Sequence, residues 1–484
     1  MRRETDALGE LEVPDDVYYG IQTVRCVGNY RVGPHSYNEY PEIIRAMAEI
    51  KMACAETNRM IGALKAEKAE AIAAAAREIV SGRHADQFPV NVWRSQGTGV
   101  NMNVNEVIAN RANELLTGHR GYDAVHPNTH VNMCQSSNDV FPTAEAIVFY
   151  RLTEALCQAA ERLEASLGRK AQRYRDAVRL GRTGFQDAVP MTWGQVMGGW
   201  QSSVHRVRRS LADFRSVFQS VVLGGTAVGT GLGQLPGYAD HVYENLSKIV
   251  GFEMHLARMA SETVPDSAVF DAMRNTDHHV ELMNRVKAVM SAAARIAHDV
   301  EAFASGPRAG IGELRIPVTG PGVSGIPGEA TPYACELVLE TLGEVLSAEK
   351  LAELSAAEGE LDHSSQNSAA VIRIIDALKT STQAVVLFTD QCIDGLEVNE
   401  AVCRRNAELS TSLSTVASTL FGYPVGTAIA KQAIRDGITC KEAALRDGLL
   451  PAEVCEELFN VRMLTDRRHL MSVMAKYLKY RSVA

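Results

Sequence analysis

Three stretches of this chain carry apolar residues at steps of three and four for longer than an ordinary globular helix. After Pro142, the residues Leu152, Leu156, Ala159, Leu163 and Leu167 fall on one stripe. Val286, Val289, Met290, Ala293, Ile296, Val300 and Phe303 form a second, which stops at Ser305-Gly306-Pro307. A third runs from Val371 to Phe388 and on toward Asp394-Gly395. Residues three and four apart share one face of a helix, so this spacing predicts amphipathic helices, and glycine with proline supplies the stop after Phe303. Their length exceeds the usual three or four turns. Small residues at Ser291-Ala-Ala-Ala294 and Ala369-Ala370 permit close helix approach, so the expected fold is mainly α, a bundle of long helices. One chain would leave part of such broad apolar faces uncovered, and the bundle is expected to continue into further copies of the chain.

At 484 residues the chain can bury a large core. A net charge of -9, with no Lys/Arg cluster to offset it, argues against nucleic acid as a partner. The nine cysteines are scattered without a C-x-x-C pair or a His/Cys group at ligand spacing, and they read as reduced thiols. No apolar leader or long apolar run suggests a membrane. A cytoplasmic protein with no metal and no membrane partner is expected.

Two polar segments read as loops rather than core: Gln96 to Arg111 and His126 to Thr143. Both are dense in hydroxyls and amides, which donate hydrogen bonds to an anion without adding charge. Taken alone, such clusters are turns and helix caps. They do not stand alone. Gly97-Thr98 with Asn101-Met-Asn-Val-Asn-Glu-Val-Ile-Ala-Asn-Arg111, then His126-Pro-Asn-Thr-His-Val-Asn-Met-Cys-Gln-Ser-Ser-Asn-Asp-Val-Phe-Pro-Thr143, Gly181-Arg-Thr-Gly-Phe-Gln-Asp-Ala-Val-Pro190, Gly224-Gly-Thr-Ala-Val-Gly-Thr-Gly-Leu232 and the glycine-rich loop Gly320 to Pro332 occur in that order. The set resembles the shared regions of the aspartase/fumarase superfamily, in its class II fumarase and aspartate ammonia-lyase branch.

That resemblance implies a homotetramer of three-domain, mostly helical subunits, whose central long helices form a twenty-helix core and whose active sites draw on several subunits. The segments expected are 1–138, mostly helical; 139–392, the central bundle with the catalytic loop near 316–334; and 393–484, a small C-terminal helical domain. It also implies a lyase that needs no cofactor and performs β-elimination, or the reverse addition, on a succinyl-type carboxylic acid. By the same resemblance Thr98 lies beside a substrate carboxylate, Ser136, Ser137 and Asn138 bind the anionic end, and Thr183 faces the leaving group. His130, a lone histidine near an entrance site of some members, reads as structural.

Several departures bear on the chemistry. The family's Thr-His pair is Thr183-Gly184 here, and Val323 stands at the position of its serine base, which leaves Ser324 as the candidate base. The lysine that clamps substrate becomes Glu329 and the asparagine beyond it Thr331, while Glu336 keeps a carboxylate whose histidine partner is gone. Arg94 enters a segment usually without charge. These changes point away from a standard aspartase or fumarase toward a lyase releasing ammonia, an amine or a related nitrogen group. A scaffold turned to other C–C or C–N chemistry, or an inactive metabolite-binding homologue, is also compatible with them.

Overall fold

The computed structural model describes residues 1–93, 96–258, 263–306, 308–323, 326–327, 330–359, 361–364 and 368–481. They divide into two compact units. In chain order the elements that matter are β1 (Arg2–Asp6), β2 (Gly9–Val13), α1 (Ile21–Asn29), α2 (Pro41–Met60), α3 (Ala66–Val80), α4 (Gln96–Thr117) and α5 (Ser137–Arg173). Then come β3 (Val178–Thr183), β4 (Gln186–Thr192), α6 (Trp193–Phe214), α7 (Tyr238–Val250), α8 (Ser267–Arg274), α9 (Asp277–Ala304), α10 (Tyr333–Ala357), α11 (Ser368–Phe388) and α12 (Glu400–Leu409). The protein is mainly α, as the periodicity predicts. Leu156, Leu163 and Leu167 are buried along α5, Val286 to Val300 along α9, and α9 ends one residue before Ser305-Gly306. None of the described helices is long and apolar enough to cross a membrane.

The first unit comprises Met1–Gln158, Arg209–Ala288 and Thr341–Thr382. The antiparallel pair β1/β2, with Arg2 opposite Val13 and Asp6 opposite Gly9, leads into α1. Helix α2 packs on α3 and α7, and α4 packs on α1 and α3. Proline at the first position of α2 wastes no hydrogen bond, since that N–H would lack an intrahelical partner. Ile43, Met47, Ile50 and Cys54 form the buried face of α2. Where α5 meets the start of α9, His279 Nε2 lies 3.7 Å from Glu145 Oε2, both side chains buried.

One expectation fails here. Gln96 to Arg111 reads as a polar loop but is the body of α4, and its Asn101, Asn103, Asn105 and Asn110 are at most 1% exposed. Asparagine disfavours helix interiors when its amide competes for local backbone groups. Most of these amides instead reach other segments: Asn103 donates to the Gln87 carbonyl and Asn110 to the Tyr18 carbonyl, both at 2.9 Å. Glu106 in the same run accepts from the N–H groups of Gly20, Gln22 and Thr23 at 2.9, 2.8 and 3.1 Å and so caps α1. Burial pushes its carboxyl up to about 7, against the pull of these donors and the Thr23 hydroxyl.

The second unit comprises Ala159–Arg208, Val289–Glu340 and Gln383–Ala484. Its hairpin β3/β4 pairs Thr183 with Gln186. The two residues between them, Gly184 and Phe185, both have left-handed backbone, φ 56° and 61°, which matches the right-handed strand twist as two-residue hairpin turns require. Val178 and Leu180 of β3 join Leu413, Leu420, Ile429 and Leu458 in a core built from the C-terminal helices. Arg182, beside Thr183, places Nη2 2.7 Å from Oε1 of the fully buried Glu313, and the Arg179 guanidinium lies 4.1 Å from the Phe303 ring centre. Two short strands, Gly322–Val323 and Ile326–Pro327, pair antiparallel.

Candidate active site

The segment from His126 to Thr143 divides at Ser136. Its first part is a turn of π-helix, Pro127–Val131, and its last part, Ser137 to Thr143, is the mostly buried opening of α5 rather than the loop expected. Ser136 and Asp139 cap that opening reciprocally: Ser136 Oγ accepts from the Asn138 N–H at 3.2 Å, and Asp139 Oδ1 accepts from the Ser136 N–H at 2.9 Å. The other oxygen, Asp139 Oδ2, accepts from the N–H groups of Gly224 at 3.0 Å and Thr226 at 2.9 Å. One carboxylate thus ties the 136–139 turn to the Gly224-Gly-Thr loop. Burial pushes Asp139 up to about 7; its three amide donors and the Lys51 charge oppose it.

Asn138 donates from Nδ2 to the Ala227 carbonyl at 2.9 Å. Pro142 lies inside α5 and has no N–H to return to the Asn138 carbonyl; His363 Nε2 stands 3.4 Å from that oxygen instead. The start of α5 is therefore held from outside the helix as well as within it.

Beneath the turn lies a polar network that the sequence did not flag. Lys51 of α2 is 0% exposed. Its Nζ donates to Asn101 Oδ1 at 2.8 Å, Asn132 Oδ1 at 3.0 Å and Gln135 Oε1 at 2.8 Å. Asn101 Nδ2 donates onward to Ser137 Oγ at 3.0 Å. Burial pulls the Lys51 ammonium down to about 7, while Cys54 and Asp139 act in the opposite direction. A signal was present: Met47, Lys51, Cys54 and Asn58 share one helical face, so this lysine interrupts an otherwise largely apolar stripe.

Of the predicted site residues, Ser136, Ser137 and Asn138 come together here, half-buried at the N-terminus of a 37-residue helix. Hydroxyls at the positive end of a helix are donors of the kind that can receive an anion without a side-chain cation. Thr98 lies one turn before Asn101 on α4, exposed, and opens onto a pocket of about 430 Å³ that Arg25 and Gln22 also line. Thr183, exposed at the end of β3, and Thr331, whose buried Oγ1 has no hydrogen-bond partner, belong to the second unit. Glu336 is exposed near the start of α10. Ser324, Glu329 and Arg94 lie outside the described residues. His130 accepts at Nδ1 from the His126 N–H at 2.8 Å and meets Lys68 Nζ at 3.1 Å through Nε2.

A family model described as "Lyase" matches residues 9–347. A class II fumarate hydratase of Halalkalibacterium halodurans is 36% identical over 94% of this chain and 97% of its own. The chain belongs to the aspartase/fumarase superfamily. It is a lyase of that superfamily. An aspartate ammonia-lyase of a Bacillus species is 33% identical over 96% of this chain and 97% of its own. Among solved structures, the fumarate lyase:delta crystallin of Brucella melitensis bound to cobalt superposes with a TM-score of 0.90 at 34% identity, covering 96% of this chain and 99% of that one. Within the described residues of this superfamily member, no group of three or more His, Cys, Asp or Glu side chains is placed to hold a metal ion.

Proposed function

We propose that this lyase performs anti β-elimination, or the reverse addition, on a succinyl-type dicarboxylic acid, with an amine or a related nitrogen group as leaving group and a fumarate-like acid as product. The observation that carries the reading is the Ser136–Asp139 turn, whose hydroxyls and helix N-terminus are fixed by buried partners before any ligand arrives. A proton next to a carboxylate is weakly acidic, and its removal needs that carboxylate held by fixed donors as an enediolate-like dianion. It also needs a base within hydrogen-bond reach. Ser324 is the proposed base, being the only hydroxyl between Gly320 and Pro327. Thr98, Thr183, Glu329 and Thr331 are proposed to complete the substrate shell in a homotetramer of three-domain subunits.

Water as the leaving group is the second reading. Relatives that span nearly the whole chain are named class II fumarate hydratases, which favours it. Gly184 and Glu329, where the family pattern has a histidine and a lysine, favour the nitrogen reading. Ultraviolet absorbance of the new conjugated acid decides between them when the full chain meets malate, aspartate, and N-alkyl- and guanidino-succinates in turn. The nitrogen reading expects turnover of a substituted succinate, with malate and aspartate about a thousandfold below a typical family kcat/KM. Efficient turnover of malate establishes the second reading. No turnover of any of them, with succinate still bound, leaves an inactive metabolite-binding homologue.

A further inference from the structure

Ser137 Oγ receives its hydrogen bond from Asn101 Nδ2, and Asn101 Oδ1 receives one from Lys51 Nζ. An amide has one donor end and one acceptor end, so the order of these contacts has a direction. If the Asn101 amide were turned over, its NH₂ would face the ammonium, donor against donor, where Lys51 is 0% and Asn101 1% exposed. Such a clash leaves two buried donors unsatisfied. The ammonium is itself fixed, because its other contacts are Asn132 Oδ1 and Gln135 Oε1. Gln135 is locked in turn by donating from Nε2 to the Val131 and Met133 carbonyls, both at 3.0 Å. Asn132 Oδ1 also accepts from Asn101 and Asn105, both at 3.2 Å, so it too presents only its acceptor end.

The polarity therefore propagates outward. Ammonium fixes amide, and amide occupies a lone pair of the serine oxygen. The Ser137 proton is then free to donate away from the network. We propose that Lys51 is a positioning residue of the anion site, which acts through Asn101 to present the Ser137 hydroxyl as a hydrogen-bond donor to the substrate carboxylate. This rests on the reading of Ser137 as part of a carboxylate site given under Proposed function. It assigns a role to a buried cation that touches no substrate. A donor oriented before the ligand arrives costs no reorganisation when charge develops on the substrate.

A buried lysine that only ties α2 to α4 and to the 132–135 turn would have the same contacts, so the test must read polarity rather than stability. Asn101→Asp does this. It keeps an acceptor on Lys51 and adds an ion pair, but it turns the donor facing Ser137 into an acceptor, so the hydroxyl must point inward. Succinate, which has no leaving group, is titrated calorimetrically into the unmodified protein, Asn101→Asp, Ser137→Ala and the double variant. Each single change should weaken succinate about tenfold to a hundredfold, the range for one hydrogen bond to a charged group. In the Asn101→Asp background Ser137→Ala should then cost less than about twofold more, since its donor is already lost.

Simple repulsion by the added carboxylate predicts something else: the two losses multiply. That result overturns the relay and leaves the anion site standing. Lys51→Met, where it folds, should likewise abolish the cost of Ser137→Ala; lower stability with unchanged succinate affinity would make Lys51 a structural tie and overturn the proposal. Absence of succinate binding by the unmodified protein overturns the relay and the functional reading together.

Discussion

Replacing Asp139 with asparagine changes one atom and should disturb the whole 136–139 turn. The carboxylate takes three N–H donors, two on Oδ2 from Gly224 and Thr226 and one on Oδ1 from Ser136. An asparagine has one acceptor oxygen. Its better orientation keeps that oxygen toward Gly224 and Thr226 and sets its NH₂ against the Ser136 N–H. One hydrogen bond to a charged group is lost, about 1.5–3 kcal/mol, and the two that remain each weaken by about 1 kcal/mol as the charge disappears. Against this stands the removed cost of burying a charge, which is real because burial has already pushed Asp139 up to about 7. We expect a net loss of about 2–4 kcal/mol. The assay is urea unfolding followed by circular dichroism at about pH 8, above the Asp139 value, where the unmodified carboxylate is ionised. Succinate titration of the same variant should show weaker binding, because Ser136 is no longer held by its reciprocal cap. A variant within about 0.5 kcal/mol of the parent would refute the assignment of Asp139 as the clasp between the turn and the glycine loop.

Two further outcomes concern pH. Glu78 receives Arg111 Nε and Nη2, both at 2.9 Å, and the guanidinium holds its carboxyl down to about 2, against a partial opposing effect of burial. Unfolded Glu78 binds its proton near the ordinary carboxylate value, so the contribution is fully present above that value and is lost as pH falls toward 2. Denaturant midpoints from about pH 6 to about pH 3 should therefore fall more steeply for the parent than for Glu78→Gln. Glu145 behaves in the opposite sense: burial raises its carboxyl well above the ordinary value, Oε1 has no hydrogen-bond partner, and the side chain faces a cavity of about 230 Å³. The folded chain keeps that proton while the unfolded chain loses it, so stability falls as pH rises past the ordinary carboxylate range. Glu145→Gln should gain on the parent as pH rises, and a pH-independent difference would show that Glu145 is ionised in the fold.

What the sequence disclosed follows from where each residue finds its partners. The stop of α9 was legible because the stripe ending at Phe303 and the Ser305-Gly306-Pro307 breaker are local features. Helix α4 was not, because the partners that make its asparagines tolerable are the Gln87, Tyr18 and Val125 carbonyls of other segments. The motif singled out Ser136, Ser137 and Asn138 as candidates, yet the residues that hydrogen-bond to them were not legible in it. Asp139 stood inside the motif without a visible role until the Gly224-Gly-Thr loop was beside it. Lys51 lies 86 residues before Ser137, so nothing in either neighbourhood points to the other. The Thr183-Gly184 departure was visible as a missing side chain, but not as the left-handed turn in which Gly184 sits.

The tip of the β3/β4 hairpin bears on what a single codon can change. Gly184 and Phe185 are consecutive left-handed residues, so the turn already carries one side chain in that conformation. A β-carbon placed on Gly184 would meet no atom within 4 Å. Histidine enters the left-handed region more readily than most residues, and His84 does so in this chain at φ 63°. A histidine written at 184 would therefore carry some backbone strain and no clash with its surroundings. One substitution is enough to put the family's Thr-His pair on this hairpin.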